Sequence, residues 1–101
     1  MSETVINGKR FCFGDLYVVP WKIESWTTEP YLTTTLKDGE IVVIMDITEI
    51  EKNDSYPYFV KYPQYRIKIL TTNGQFVKLD CSAASLDYWK TVQQTKKNKK
   101  F

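Results

Sequence analysis

Between Tyr65 and Cys81, apolar and polar side chains alternate on both sides of an Asn73-Gly74 pair. Strict alternation marks a half-buried strand, so the segment predicts a β-hairpin. Asn-Gly commonly forms a two-residue type I′ loop. Here that loop would oppose Ile69 to Lys78 and Ile67 to Asp80, mixing apolar and charged residues on one face. A three-residue loop, 72–74, instead opposes Ile69 to Val77, Ile67 to Leu79 and Tyr65 to Cys81. The other face then carries Arg66, Lys68, Lys78 and Asp80, with Leu70 and Phe76 near the turn. A one-residue slip turns every side chain over. The pattern therefore selects a type I turn followed by a G1 bulge, with Gly74 in the left-handed conformation.

The remaining elements follow from the same reading. The stretch Glu40–Ile47, EIVVIMDI, is apolar almost throughout and predicts an interior strand, entered from a turn at Leu36–Gly39. Asp15–Ile23 predicts a strand with an edge or a bulge at Pro20, which cannot donate to a ladder. Lys9–Phe13 predicts a short strand behind a turn at Asn7-Gly8, and Pro57–Tyr62 either extends the hairpin or walls a loop. Ser85 caps a short helix over SLDYWKTVQQ, with Leu86, Trp89 and Val92 facing the sheet. About five short strands and one C-terminal helix predict a mainly all-β domain, either a small barrel or an open roll. A chain of 101 residues is one small domain with a thin core. The expected limits are 1–95 for the domain and 96–101 for a basic tail.

Charge changes the picture in one respect. The formal net charge is +2, but Lys96, Lys97, Lys99 and Lys100 supply all of that excess, and the body without them is slightly acidic. Such a tail either attracts phosphate or anionic lipid or simply keeps the chain solvated. The sequence has no histidine, and Cys12 and Cys81 form no CxxC, which removes most zinc geometries. No apolar run reaches signal-peptide or membrane-spanning length. The expected location is cytoplasmic, with free thiols, a Cys12–Cys81 pair being the alternative, and no membrane partner.

The stretch LKDGEIVVIMDI, followed later by YRIKILTTNGQFVKL, resembles the rhythm of SH3-like barrels. In that family a Leu-x-x-Gly-acidic turn enters a strand, and a later strand ends in a distal hairpin often built on Asn-Gly. Leu36, Gly39 and Glu40 match the first feature, Asn73 and Gly74 the second, over about residues 36–81. The Ala-Leu-Tyr-Asp-Tyr motif, the paired Trp and the Pro-x-x-Tyr that build the proline-peptide groove are absent. The resemblance thus implies a fold of the microbial or viral sort, and not proline-peptide binding. The short, Tyr- and Lys-rich, histidine-free texture is also similar to that of small bacteriophage proteins.

Candidate chemistry is sparse. Without histidine, no thiol-imidazole or hydroxyl-imidazole pair exists, and Cys81 falls on the apolar side of the hairpin. Glu49, Glu51 and Asp54 offer carboxylates but not the regular spacing of a cation loop. There is no GxGxxG and no GKS or GKT for phosphates. The expectation is no enzyme, no metal and no cofactor. What remains is aromatic: Trp21, Trp26 and Tyr31 in one segment, and Tyr56, Tyr58, Phe59, Tyr62 and Tyr65 in another. Trp21 and Tyr65 are expected on strands as core, and Trp26, Tyr31, Tyr56 and Tyr58 at a surface that meets a protein partner or a second copy. In phage terms, that is a virion component or a modulator of a host protein. The alternative is a single-stranded nucleic-acid binder using Arg66, Lys68, Lys78, Lys96, Lys97, Lys99 and Lys100, against which the acidic body argues.

Overall fold

A computed structural model describes residues 3–27, 31–50 and 64–97. In chain order the elements are β1 (Glu3–Ile6), β2 (Lys9–Cys12), β3 (Leu16–Val18), β4 (Ile23–Trp26), β5 (Thr33–Leu36), β6 (Ile41–Ile50), β7 (Gln64–Leu70), β8 (Phe76–Ser82), α1 (Ala83–Leu86), β9 (Lys90–Thr91) and α2 (Val92–Lys97). The protein is mainly β, as expected, but the described residues hold nine strands and not five. Seven form one antiparallel sheet in the order β5-β4-β8-β7-β6-β3-β9, and β1-β2 is a separate hairpin.

The β7–β8 hairpin has the register that the alternation selects: Ile69 opposes Val77, Ile67 opposes Leu79 and Tyr65 opposes Cys81. The Gly74 amide donates to the Thr71 carbonyl at 3.0 Å and the Thr71 amide to the Gln75 carbonyl at 2.9 Å, closing a three-residue loop. Gly74 sits at φ +84°, the left-handed region open to glycine. Strand β6 pairs with β7 from Val43 to Ile50 except at Met45, where the register shifts between Ile44 and Asp46. The extra residue bends β6, so that Val42 and Ile44 before it and Ile47 after it all point inward.

Short connections force the sheet to curl. In a flat sheet β5 and β6 would lie four strand spacings apart, about 19 Å. Yet Leu36 and Ile41 are joined by a tight turn in which the Glu40 amide donates to the Lys37 carbonyl at 3.0 Å. Such a turn holds the two strand ends within roughly 15 Å. Likewise β3 and β4, on opposite sides of the β6-β7-β8 meander, are linked by residues 19–22 alone. Val19 fastens the closure: its amide donates to the Glu40 carbonyl at 2.8 Å, and its carbonyl accepts from the Gly39 amide at 2.9 Å. The inward faces thus become one core of Tyr17, Val19, Leu36, Val42, Ile44, Ile67, Ile69, Val77 and Leu79, completed by Phe11, Leu86 and Trp89.

Three sequence expectations are corrected. Asp15–Ile23 is not one strand; it breaks at Pro20 into β3 and β4, which serve opposite sides of the sheet. Trp21, expected as core on that strand, is exposed in the link, edge-on to Tyr88 with ring centroids 5.3 Å apart. The single helix capped by Ser85 is replaced by α1, capped by the Ser82 hydroxyl, which accepts from the Ser85 amide at 3.3 Å. Leu86 and Trp89 are buried as expected. However, β9 intervenes to pair with β3 before α2 begins. Ladder bonds to Tyr17 and Val18 outweigh the helical spacing in a segment too short to hold a helix on propensity alone. Pro57–Tyr62 lies outside the described residues.

The amino-terminal hairpin docks through Lys9. Its ammonium donates to the carbonyls of Leu86 at 3.3 Å, Asp87 at 3.0 Å and Trp89, and lies 5.3 Å from the Phe11 ring centre. The Leu86 carbonyl also accepts from the Trp89 amide at 3.1 Å, so Lys9 adds a charged donor to the turn where α1 ends. Partial burial lowers the ammonium's pKa, an effect that the nearby Asp87 carboxylate opposes.

Candidate functional site

The sheet that turns its aliphatic side inward presents a mixed face outward. The registers place that face row by row. One row crosses four strands as Leu16 on β3, Val43 on β6, Leu70 on β7 and Phe76 on β8. Two residues further along β7 and β8, and three along the bulged β6, the next row is Asp46 on β6, Lys68 on β7, Lys78 on β8 and Trp26 on β4. A third holds Thr48, Arg66 and Asp80. The first row is apolar throughout and wet at both ends: Leu16 is 50% exposed and Phe76 is 53% exposed. Val18 and Ile41, opposed to each other, continue it on the far side.

The second row is electrostatically unusual. Lys68 and Lys78 are directly opposed across strands, an arrangement that costs stability because like charges face each other. Neither ammonium has an ion-pair partner among the described residues. Lys68 lies 5.5 Å from the Phe76 ring centre. Arg66, by contrast, is engaged: its guanidinium donates to both carboxylate oxygens of Asp80 at 2.9 and 3.2 Å, and it lies 5.4 Å from the Trp26 ring centre. Trp26 is half-buried, with one ring face taken by this cation.

The structure therefore brings Trp26 together with Arg66, Lys68 and Lys78, residues that the sequence reading had assigned to competing functions. Tyr31 stands apart from them, 68% exposed beside Leu32 at 55%, beyond the last paired residues of the β4–β5 hairpin. Tyr56, Tyr58, Lys99 and Lys100 lie outside the described residues, as do the side chains of Lys96 and Lys97, whose backbone belongs to α2. Phe76 and Tyr88 are surface aromatics that the sequence reading did not single out. Phe76 was legible, because the hairpin register already put it beside Lys68 and Lys78. Tyr88 was not, because a helix was expected there.

Chemistry is sparse here too. Cys12 and Cys81 are free thiols, and burial, aided by the Asp80 carboxylate, pushes the Cys81 thiol up to about 12. Such a thiol is protonated at neutral pH and a poor nucleophile. Glu49 is on β6, while Glu51 and Asp54 lie outside the described residues. Among the described residues, no three His, Cys, Asp or Glu side chains gather closely enough to hold a metal ion. A cleft of about 550 Å³ separates the β5–β6 turn from the β7–β8 hairpin. Two of its polar side chains serve the chain itself: the Glu40 carboxylate accepts from the Lys37 amide, and the Thr71 hydroxyl accepts from the Gln75 amide. No helix among the described residues is long and apolar enough to cross a membrane. No family model, curated protein or solved structure matches the chain.

Proposed function

We propose that the chain is a non-enzymatic protein-binding or structural module on an SH3-like small barrel. The observation that carries the reading is apolar and aromatic surface the core does not need. Tyr31 and Leu32 stand exposed at the end of the β4–β5 hairpin. Large stiff side chains kept in water are typical of contact surfaces. The SH3-like part is supported by the Leu36–Glu40 turn leading into β6 and by Asn73-Gly74 joining β7 to β8 in a sheet that its connections curl. The phage reading, with a place in the virion or the host cytoplasm, rests on sequence texture alone. The test is affinity purification from the native cell with the parent and with Tyr31→Ala. The variant is expected to fold and to lose the partner. Equal recovery of the same partner by both overturns the hairpin-end site.

One observation favours a second reading. Arg66, Lys68 and Lys78 share the outer face with Trp26 and Phe76, the pairing of cations and flat rings that single strands use. Against it, Asp46 and Asp80 stand in the same rows, and Arg66 already covers Trp26. Retention of poly(dT) on a filter at low salt decides it; no retention removes the reading.

A further inference from the structure

We infer that the open edge of β5 pairs with β5 of a second copy of the chain, joining two sheets about a two-fold axis. The inference rests on the protein-binding reading above and names the partner as the chain itself.

The observation that carries it is a strand edge left unsatisfied among the described residues. Strand β5 ends the seven-stranded sheet and pairs there with β4 alone. The Thr27 amide donates to the Leu32 carbonyl at 2.8 Å, which fixes the phase of the β4–β5 ladder. Hydrogen-bonded and non-hydrogen-bonded positions alternate in an antiparallel pair. Thr33 opposite Trp26 and Thr35 opposite Glu24 are therefore non-hydrogen-bonded positions. Both threonines turn their N–H and C=O groups away from β4. The edge thus offers two donors and two acceptors that no backbone group among the described residues engages. A cleft of about 550 Å³ borders Thr34, Thr35 and Leu36 and parts them from the β7–β8 turn. Beyond Leu36 the chain closes the edge itself, because the Lys37 amide donates to the Glu40 carboxylate at 2.9 Å.

The edge also lacks a chemical guard. Exposed strand edges are commonly protected by lysine, proline or a bulge. At the other end of the sheet, β9 has two residues, one of them the exposed Lys90. The β1–β2 hairpin carries Lys9 and the Arg10–Glu3 ion pair. Strand β5 reads Thr-Thr-Thr-Leu, with no charge and no proline.

What selects a second copy is self-complementarity. A two-fold axis perpendicular to the sheet, passing between the two Thr34 residues, opposes Thr33 of each copy to Thr35 of the other. Each of these two pairs exchanges two N–H···O bonds, so all four outward groups of both edges are satisfied. Threonine meets threonine on the outer face, a favourable pair, and no charge on β5 meets its like. On the inner face the same register brings the exposed Leu32 opposite Leu36 of the second copy.

The test is sedimentation equilibrium of the full chain from roughly 10 μM to 1 mM, the range in which a small interface associates. The mass is expected to rise from 11.9 kDa toward twice that value. Thr35→Pro removes an amide that β4 does not use, so it should leave the circular-dichroism melt near the parent's and hold the chain monomeric. Two double variants test the register. Thr33→Lys/Thr35→Lys sets lysine against lysine across the axis, and Thr33→Glu/Thr35→Lys sets glutamate against lysine. The second should dimerise roughly tenfold or more tightly than the first at low salt. If Thr35→Pro fails to fold, the double variants decide alone. A dimer that survives a folded Thr35→Pro, or that both double variants form equally well, overturns the inference. So does a parent that is monomeric throughout. If that monomer still recovers a Tyr31-dependent protein from the native cell, the module reading stands; if it recovers none, that reading falls as well.

Discussion

If Lys68 and Lys78 repel across the β7–β8 ladder, reversing one of them should stabilise the fold. The two residues are a direct register pair, so their α-carbons lie about 5 Å apart. A like-charge pair in such a position costs on the order of 0.2–1 kcal/mol, and an opposite-charge pair gains a similar amount. Lys78→Gln removes the repulsion, and Lys78→Glu replaces it with attraction, so stability should rise in that order by about 0.5 and then about 1 kcal/mol. For a domain of this size, 1 kcal/mol moves the melting temperature by roughly 4–8 °C. Lysine and glutamate are both disfavoured in strands, so intrinsic propensity offsets little of this. The assay is thermal melting at low salt and again at about 1 M salt, where the Debye length falls to about 3 Å and the gain should shrink. Lys22→Glu, on the exposed link between β3 and β4, makes the same change in net charge away from any such pair and serves as the control. A melting temperature for Lys78→Glu at or below the parent's at low salt would refute the reasoning. So would a gain matched by the control, which would trace it to overall charge.

The other predictions concern the scaffold. Gly74→Ala should destabilise by about 1 kcal/mol in urea unfolding, because alanine is strained at φ +84° although no atom lies within 4 Å of the new methyl; an unchanged midpoint counts against the turn. Lys9→Met should lower stability by about 1–2 kcal/mol, since three carbonyls lose a charged donor where the β1–β2 hairpin meets the end of α1; a parental melt would show that Lys9 is ornamental to the docking. Stability should be full below pH 9 and fall as pH rises toward 12, because the unfolded chain releases the Cys81 proton near 9.0 while the folded chain holds it up to about 12. Tyr17, whose phenol burial also raises, adds the same sign above pH 10. Urea midpoints measured at pH 8 and pH 10.5 test this, and a Cys81→Ala variant with the parent's full alkaline slope would exclude the thiol as a source.

Local grammar was legible in the chain and remote pairing was not, and the boundary between them is physical. The β7–β8 register could be read because a short loop and a strict alternation leave one arrangement that buries Ile67, Ile69, Val77 and Leu79 together. That register already opposed Lys68 to Lys78. The Pro20 break was half legible: proline signals an interruption, but not that the chain crosses to the other side of the sheet. The short helix failed because ladder bonds between Lys90–Thr91 and Tyr17–Val18, more than seventy residues apart, decide the local conformation. The apolar row was hidden for the same reason. Leu70 and Phe76 came with the hairpin, but Val43 joins them only through the β6–β7 register, which is shifted by the bulge at Met45. Leu16 joins only through the β3–β6 pairing. Leu16 and Phe76 are exposed, Val43 and Leu70 half-buried, and the four come into register only through these pairings. A surface of this kind exists only after closure of the sheet has aligned segments distant in sequence, so no reading of one segment by itself could have assembled it.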